Sequence, residues 1–125
     1  MITRSLKIGD VITARFPEQT PQGREQEGYR PAIVVGFPDF LGTPRFPVVL
    51  VVPMTTYKNQ SWANNSPNLY PIFNAGIAGL RSPSIVLLDQ VRVIDARRIA
   101  NYRGSLTDNE YKSIEDGLKE IFSLQ

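Results

Sequence analysis

The longest apolar run in the chain, 47–54 (Pro-Val-Val-Leu-Val-Val-Pro-Met), constrains the fold more than any other feature. It is about the length of one strand and far short of the roughly 20 residues that cross a bilayer. It is rich in β-branched residues and shows no alternation of polar and apolar positions. Such a run is a strand buried on both faces, which makes it central in its sheet. The sequence predicts that strand over 46–53, with two others before it. Residues 11–16 (Val-Ile-Thr-Ala-Arg-Phe) follow a turn at Gly9-Asp10, and a second strand covers 29–37. Ten prolines and nine glycines divide the remainder into turns and short pieces.

The linkers are polar. Residues 17–28 form a long loop, of a length that is often functional in a small domain. Residues 38–44 form another, and 57–69 a third that carries the only tryptophan, Trp62. Trp62 fits two roles, a cap on the edge of the core or a stacking platform. A short strand at 70–73 contains Pro71 and so belongs at an edge. Gly76 and Gly79 bound a link. Two strand-like runs, 84–89 and 90–94, complete the β region, either as a pair or as one bent strand. Thr107 followed by Glu110 forms a capping box. Tyr111, Ile114, Leu118, Ile121 and Phe122 then recur at helical spacing. Gly117 inside that helix costs on the order of 1 kcal/mol relative to alanine. The reading is mainly β: one domain over 1–125, a strongly bent sheet or small barrel of short strands, and a C-terminal α-helix.

Composition narrows the chemistry. There is no cysteine, hence no disulfide and no thiolate metal site, and no histidine, the commonest general base. A zinc enzyme, a Ser-His-Asp hydrolase and a His-His ribonuclease are excluded on these grounds. The net charge of +2 is unevenly spread: residues 107–125 carry −3, so residues 1–106 carry +5. Ten of the fourteen basic residues are arginine, whose guanidinium fork suits phosphate oxygens. Residues 1–7 lack the apolar core of a signal peptide, and the cytoplasm is the expected location. Arg92, Arg97, Arg98 and Arg103 could form a basic strip or a solvated surface.

Two segments carry polar groups to strand ends, where rigid scaffolds present functional residues. One is Glu25-Gln26-Glu27-Gly28-Tyr29-Arg30-Pro31, leading into the second strand. The other is Val52-Pro53-Met54-Thr55-Thr56, ending the third. With Gly9-Asp10, Gly79-Leu80, the run from Ser84 to Arg92, Asp95, Arg98-Ile99 and Gly104-x-Leu106, they form an ordered set over about 7–122. This set resembles the MazF/PemK toxins of type II toxin–antitoxin systems. The resemblance implies a small SH3-like, CcdB/PemK-type barrel that forms a homodimer. It also implies a metal-independent, sequence-specific endoribonuclease that cleaves single-stranded RNA and is silenced by a cognate antitoxin protein. No cofactor, metal or membrane is expected.

By matching motifs, the resemblance puts the catalytic residues at Arg30, Thr55 and Glu25. The candidate RNA contacts are Gln26, Thr56, Arg24, Tyr57, Trp62 and Arg81. Arg30 would stabilise charge on phosphorus, and Thr55 would donate to a phosphate oxygen. Glu25 would take a proton if burial raised its pKa, or would orient Arg30. In the competing structural reading, Arg30 pairs with Glu25 or Glu27 as a surface ion pair, and Thr55-Thr56 are ordinary strand residues. Two departures stand out. Pro83 occupies a position where relatives often carry an acidic residue, and the segment 57–76 is longer than usual. The cleavage sequence therefore does not carry over. Two other classes compete: a CcdB-like gyrase inhibitor, whose tryptophan-bearing C-terminus this chain lacks, and a catalytically silent RNA-binding relative.

Overall fold

The computed structural model describes residues 5–124. Seven strands form in chain order: β1 (Asp10–Phe16), β2 (Gly28–Gly36), β3 (Val48–Thr56), β4 (Ile72–Phe73), β5 (Ser84–Val86), β6 (Arg92–Asp95) and β7 (Ile99–Ser105). A one-turn helix α1 (Ser61–Asn64) precedes β4, and α2 (Asp108–Ile121) follows β7. Every strand pairing is antiparallel. The path runs β4-β5-β3-β2-β1-β7, with β6 on the other half of β3. The sheet curls into a half-barrel with α2 packed on it, as expected from the strand pattern.

The run that reads as a central strand is central. The first half of β3 pairs with β6, from Val48↔Asp95 to Val51↔Arg92. Its second half pairs with β5, from Met54↔Val86 to Thr56↔Ser84. Along its other edge lies β2. Alternate residues feed two cores. Val52 and Met54 join Val11, Ile33, Leu88, Leu106 and Ile114 on the face that carries α2. Val49 and Val51 join Ile12, Ala14, Phe16, Ala32, Val34, Ile94 and Ile99 on the opposite face. Each such fully buried aliphatic side chain is worth about 1.5–3 kcal/mol.

Two readings need correction, and one left open is resolved in favour of a pair of strands. Residues 57–69 are not loop throughout, because α1 lies within them. The runs 84–89 and 90–94 are two strands separated by a 3-10 turn, Leu88–Gln90, and they serve different halves of β3. Finally, β7 lies in a stretch given no element from sequence. Only Ile99 of its seven residues is buried, so no apolar pattern marks it. It forms because β1 offers a free edge, with two register shifts that bend the pair.

Asp10 secures this junction although it is fully buried. Its Oδ2 accepts from the Lys7 backbone N–H at 2.9 Å, and its Oδ1 from the Ser105 hydroxyl at 2.7 Å. Both capping-box bonds of α2 are present between Thr107 and Glu110. Gly117, a weakness in an isolated helix, has a packing reason here: a Cβ would run into Cδ1 of Leu88. Gly104 has a similar one. A Cβ there would lie 2.6 Å from the Ala78 carbonyl carbon and 2.8 Å from its oxygen, both backbone atoms. Gly104→Ala should therefore push the 76–80 link off β7, with an expected cost of about 1–3 kcal/mol. The check is a lowered urea midpoint with an unchanged m-value; a midpoint equal to the parent's would show that the link yields freely.

Candidate functional site

Pro31 and Pro53 shape the site. The β2–β3 ladder ends at Ala32↔Pro53, since proline has no N–H to extend it. Two residues further along each strand sit Arg30 and Thr55. Both lie beyond the last paired positions of that ladder. Thr55 instead pairs with Ile85 of β5, and Arg30 lies opposite Ala14 of β1.

A groove of about 530 Å³ opens beside Thr55. Of the expected site residues, Thr55, Gln26, Arg24 and Trp62 line it. Gln60, Tyr70, Leu87, Asp89 and Gln90 complete the lining. Gln90 is the clamp that brings the 24–26 loop there. Its Oε1 accepts from the Gln26 N–H at 2.9 Å, and its Nε2 donates to the Arg24 carbonyl at 3.3 Å. The Gln26 Oε1 is buried with no hydrogen-bond partner among the described residues. An unpaired buried acceptor costs about 1–3 kcal/mol.

The long 57–76 segment builds the opposite wall. The Gln60 side chain closes its turn, with Oε1 accepting from the Lys58 N–H at 2.6 Å and Nε2 donating to the Thr56 carbonyl at 3.1 Å. Trp62 is 45% exposed and meets Tyr70 edge to face, with centroids 4.9 Å apart. The Tyr70 hydroxyl donates to Asp89 Oδ2 at 2.7 Å. That bond, with some burial and the Asp89 charge, raises the phenol above its ordinary 10.0. Tyr70 is thus protonated at neutral pH and serves as a donor rather than a base.

The other expected residues lie outside this groove. Arg30 is half-buried, and its Nε donates to the Glu27 carbonyl at 3.1 Å. It makes no ion pair with Glu25 or Glu27; the Glu27 carboxylate instead accepts from the Gln19 N–H at 2.6 Å. Glu25 is exposed, with its carboxylate folded against Gly23. Thr56 and Arg81 are exposed. Tyr57 packs against Ala63, Ile85 and Leu87, and its hydroxyl lies 2.8 Å from Asn64 Oδ1. The arginines weighed as a basic strip or a solvated surface form no single strip. Arg103 donates to the Thr13 hydroxyl, Arg92 lies over the Phe16 ring, and Arg97 binds Asp95. The Arg97 side-chain and backbone hydrogen bonds lower Asp95 to about 2. Arg97 and Arg98 line a separate cleft with Arg15 and Tyr29.

Sequence reasoning missed Gln60, Tyr70, Asp89 and Gln90 as groove residues. Asp89-Gln90 was visible only as part of a motif. Its partner Gln26 is 64 positions away, and no local pattern reports such a pairing.

The curled antiparallel half-barrel, the terminal helix and the polar groove at its strand ends define a small barrel-type β domain. Residues 7–122 match the model of the PemK-like, MazF-like toxins of type II toxin–antitoxin systems, and the chain belongs to that family. Among solved structures, MazF from Deinococcus radiodurans is similar at 20% identity and TM-score 0.73, over 98% of this chain and 100% of that one. A MazE–MazF structure from the same organism gives 19% and 0.69, over 98% and 100%. An endoribonuclease in complex with its cognate antitoxin, from a mycobacterial species, gives 16% and 0.66, over 97% and 98%. At these identities the likeness establishes the fold. A comparison with curated protein sequences finds no match. No helix among the described residues is long and apolar enough to cross a membrane.

The clamp predicts its own loss. Gln90→Ala should speed hydrogen exchange at the Gln26 amide by about fivefold, as expected when a bond of about 1 kcal/mol is removed. Gln90→Glu, which keeps the acceptor, should change it much less. Equal exchange in all three proteins would mean that the loop is held by other contacts.

Proposed function

We propose that this toxin is a metal-independent endoribonuclease that cuts single-stranded RNA at a specific sequence by attack of the substrate 2′-hydroxyl. The observation that carries the reading is the convergence of separate family motifs. Gln26, Thr55 and Gln90 come from three segments and line one groove, and Arg30 and Thr55 each follow the end of the β2–β3 ladder at Ala32↔Pro53.

The 2′ oxygen attacks phosphorus, a cyclic phosphate forms and the 5′ oxygen leaves. The reaction needs a proton removed, a proton delivered and charge stabilised at phosphorus. The Arg30 guanidinium supplies positive charge and fixed donors. The bond to the Glu27 carbonyl already orients it, which leaves Glu25 as the proposed proton acceptor. Thr55 donates to a phosphate oxygen, and Arg24 and Gln26 hold the flanking strand. Arg30→Ala should abolish cleavage of a long mixed-sequence RNA in EDTA, by at least about a hundredfold for a lost electrostatic stabiliser. Its thermal melt should stay close to the parent's. Cleavage by the variant at the parent's sites and rate would remove Arg30 from the chemistry. If neither protein cuts RNA, inhibition of DNA supercoiling becomes the next assay, and the gyrase-inhibitor reading gains.

The same reading makes the toxin a cytoplasmic homodimer bound by an antitoxin protein. Ile121, Phe122 and Leu124 at the C-terminal end and Val93 on β6 are exposed apolar side chains suited to a second copy. An acidic peptide complements the mildly basic body. Sedimentation at micromolar concentration should show a dimer; a species of 14.0 kDa alone would contradict it.

A further inference from the structure

We infer that the groove beside Thr55 is a base pocket that takes an unpaired guanine, with Asp89 accepting from its Watson–Crick edge and Trp62 supplying the stacking surface. The inference deepens the ribonuclease reading above and rests on it. It assigns a specificity role to Asp89 and Tyr70, which belong to neither catalytic nor backbone-binding candidates.

The chemistry of the wall selects a base over a phosphate. Asp89 is the one acidic residue lining the groove, and a carboxylate repels a phosphate while accepting from ring N–H and amino groups. The Tyr70 hydroxyl holds one oxygen, Oδ2, at 2.7 Å and so fixes the carboxylate. The other oxygen, Oδ1, carries no hydrogen bond among the described residues. The Tyr70 ring meets Trp62 edge to face in the same groove, with the Trp62 indole partly open to solvent. Aromatic stacking plus side-chain bonds to the Watson–Crick edge is how single-stranded RNA is read. Gln26 adds a further acceptor, its Oε1 lacking a partner. Arg24, at the rim of the same groove, suits the phosphate beside the bound base.

The donor pattern then picks the base. Guanine presents two adjacent donors, N1–H and the 2-amino group, which match the two-oxygen geometry of a carboxylate. Adenine and cytosine each set one amino donor beside a ring-nitrogen acceptor, which a carboxylate repels. Uracil sets one N–H between two carbonyl oxygens. The groove offers acceptors where guanine offers donors.

Trp62 is the only tryptophan in the chain, so its fluorescence reports on this wall alone. The test titrates the protein with 2′-O-methyl tetranucleotides, which lack the attacking hydroxyl and cannot be cut by this route. They are oligouridines carrying one guanosine, inosine, adenosine or cytidine. The guanosine oligomer should quench Trp62 and bind about tenfold or more tighter than the others, the discrimination one bidentate base contact carries. Inosine, lacking the 2-amino group, should lose much of it. Asp89→Asn, whose amide oxygen still accepts from Tyr70, should lose the guanosine preference; Tyr70→Phe, which keeps the carboxylate but frees it to turn, should weaken the preference without abolishing it. Equal binding of all four oligomers, or a preference that survives Asp89→Asn, overturns the inference. So does Trp62 emission that no oligomer alters; if the same sample cuts long RNA, the ribonuclease reading still stands. Guanosine-dependent quenching by a protein that cuts no RNA would keep the pocket and remove the ribonuclease reading.

Discussion

Strand β3 is the element on which the rest depends. It is buried on both faces, so its backbone N–H and C=O groups must find partners within the protein along both edges. One edge is taken by β2. No single neighbour covers the other, and β6 and β5 share it in succession. That division bends the sheet, because two strands separated by a short 3-10 turn cannot continue one another in a plane. The curl brings β7 onto β1 and leaves both faces of β3 in apolar cores.

The same strand also ends the packing and begins the site. Pro53 and Pro31 stop the β2–β3 ladder in the segments that carry Thr55 and Arg30. Where the ladder stops, polar side chains can stand at a strand end without displacing apolar ones. The groove is completed by groups that hold each other rather than by the core. Gln90 holds the 24–26 backbone, Tyr70 holds Asp89, and Gln60 closes its own turn. A site made this way can change its walls while the barrel persists, since few groove residues contribute to the two larger cores. The long 57–76 segment illustrates this: it adds Trp62 and Tyr70 to the groove and has its own small cluster around Ala63, Ile85 and Leu87.

Much of the barrel was legible in the sequence because its signals are local. Val48 to Met54 reads as a buried strand from β-branching and length alone. Thr107 and Glu110 announce the start of α2 through bonds spanning three residues. Pro71 marks the short strand beside it as an edge, and β4 ends the sheet path. By contrast, β7 was illegible, since a strand of mostly half-exposed and polar residues is held by its neighbour's edge rather than by its own pattern. Gly117 read as a defect because helix propensity does not include the Leu88 side chain packed against it.

The sequence by itself determined the strand-rich class, the position of the helix, the absence of histidine and cysteine chemistry, and the family motifs around Arg30 and Thr55. Each rests on residue type or on spacings of a few positions. Only the tertiary structure decided which of those residues share a groove. It placed Gln26, Thr55 and Trp62 together, left Glu25 and Arg81 exposed outside, and brought in Asp89 and Gln90 from the 3-10 turn between β5 and β6. That outcome depends on how β3 divides its edge between β5 and β6, a hydrogen-bonding constraint set across the whole chain and carried by no local run of residues.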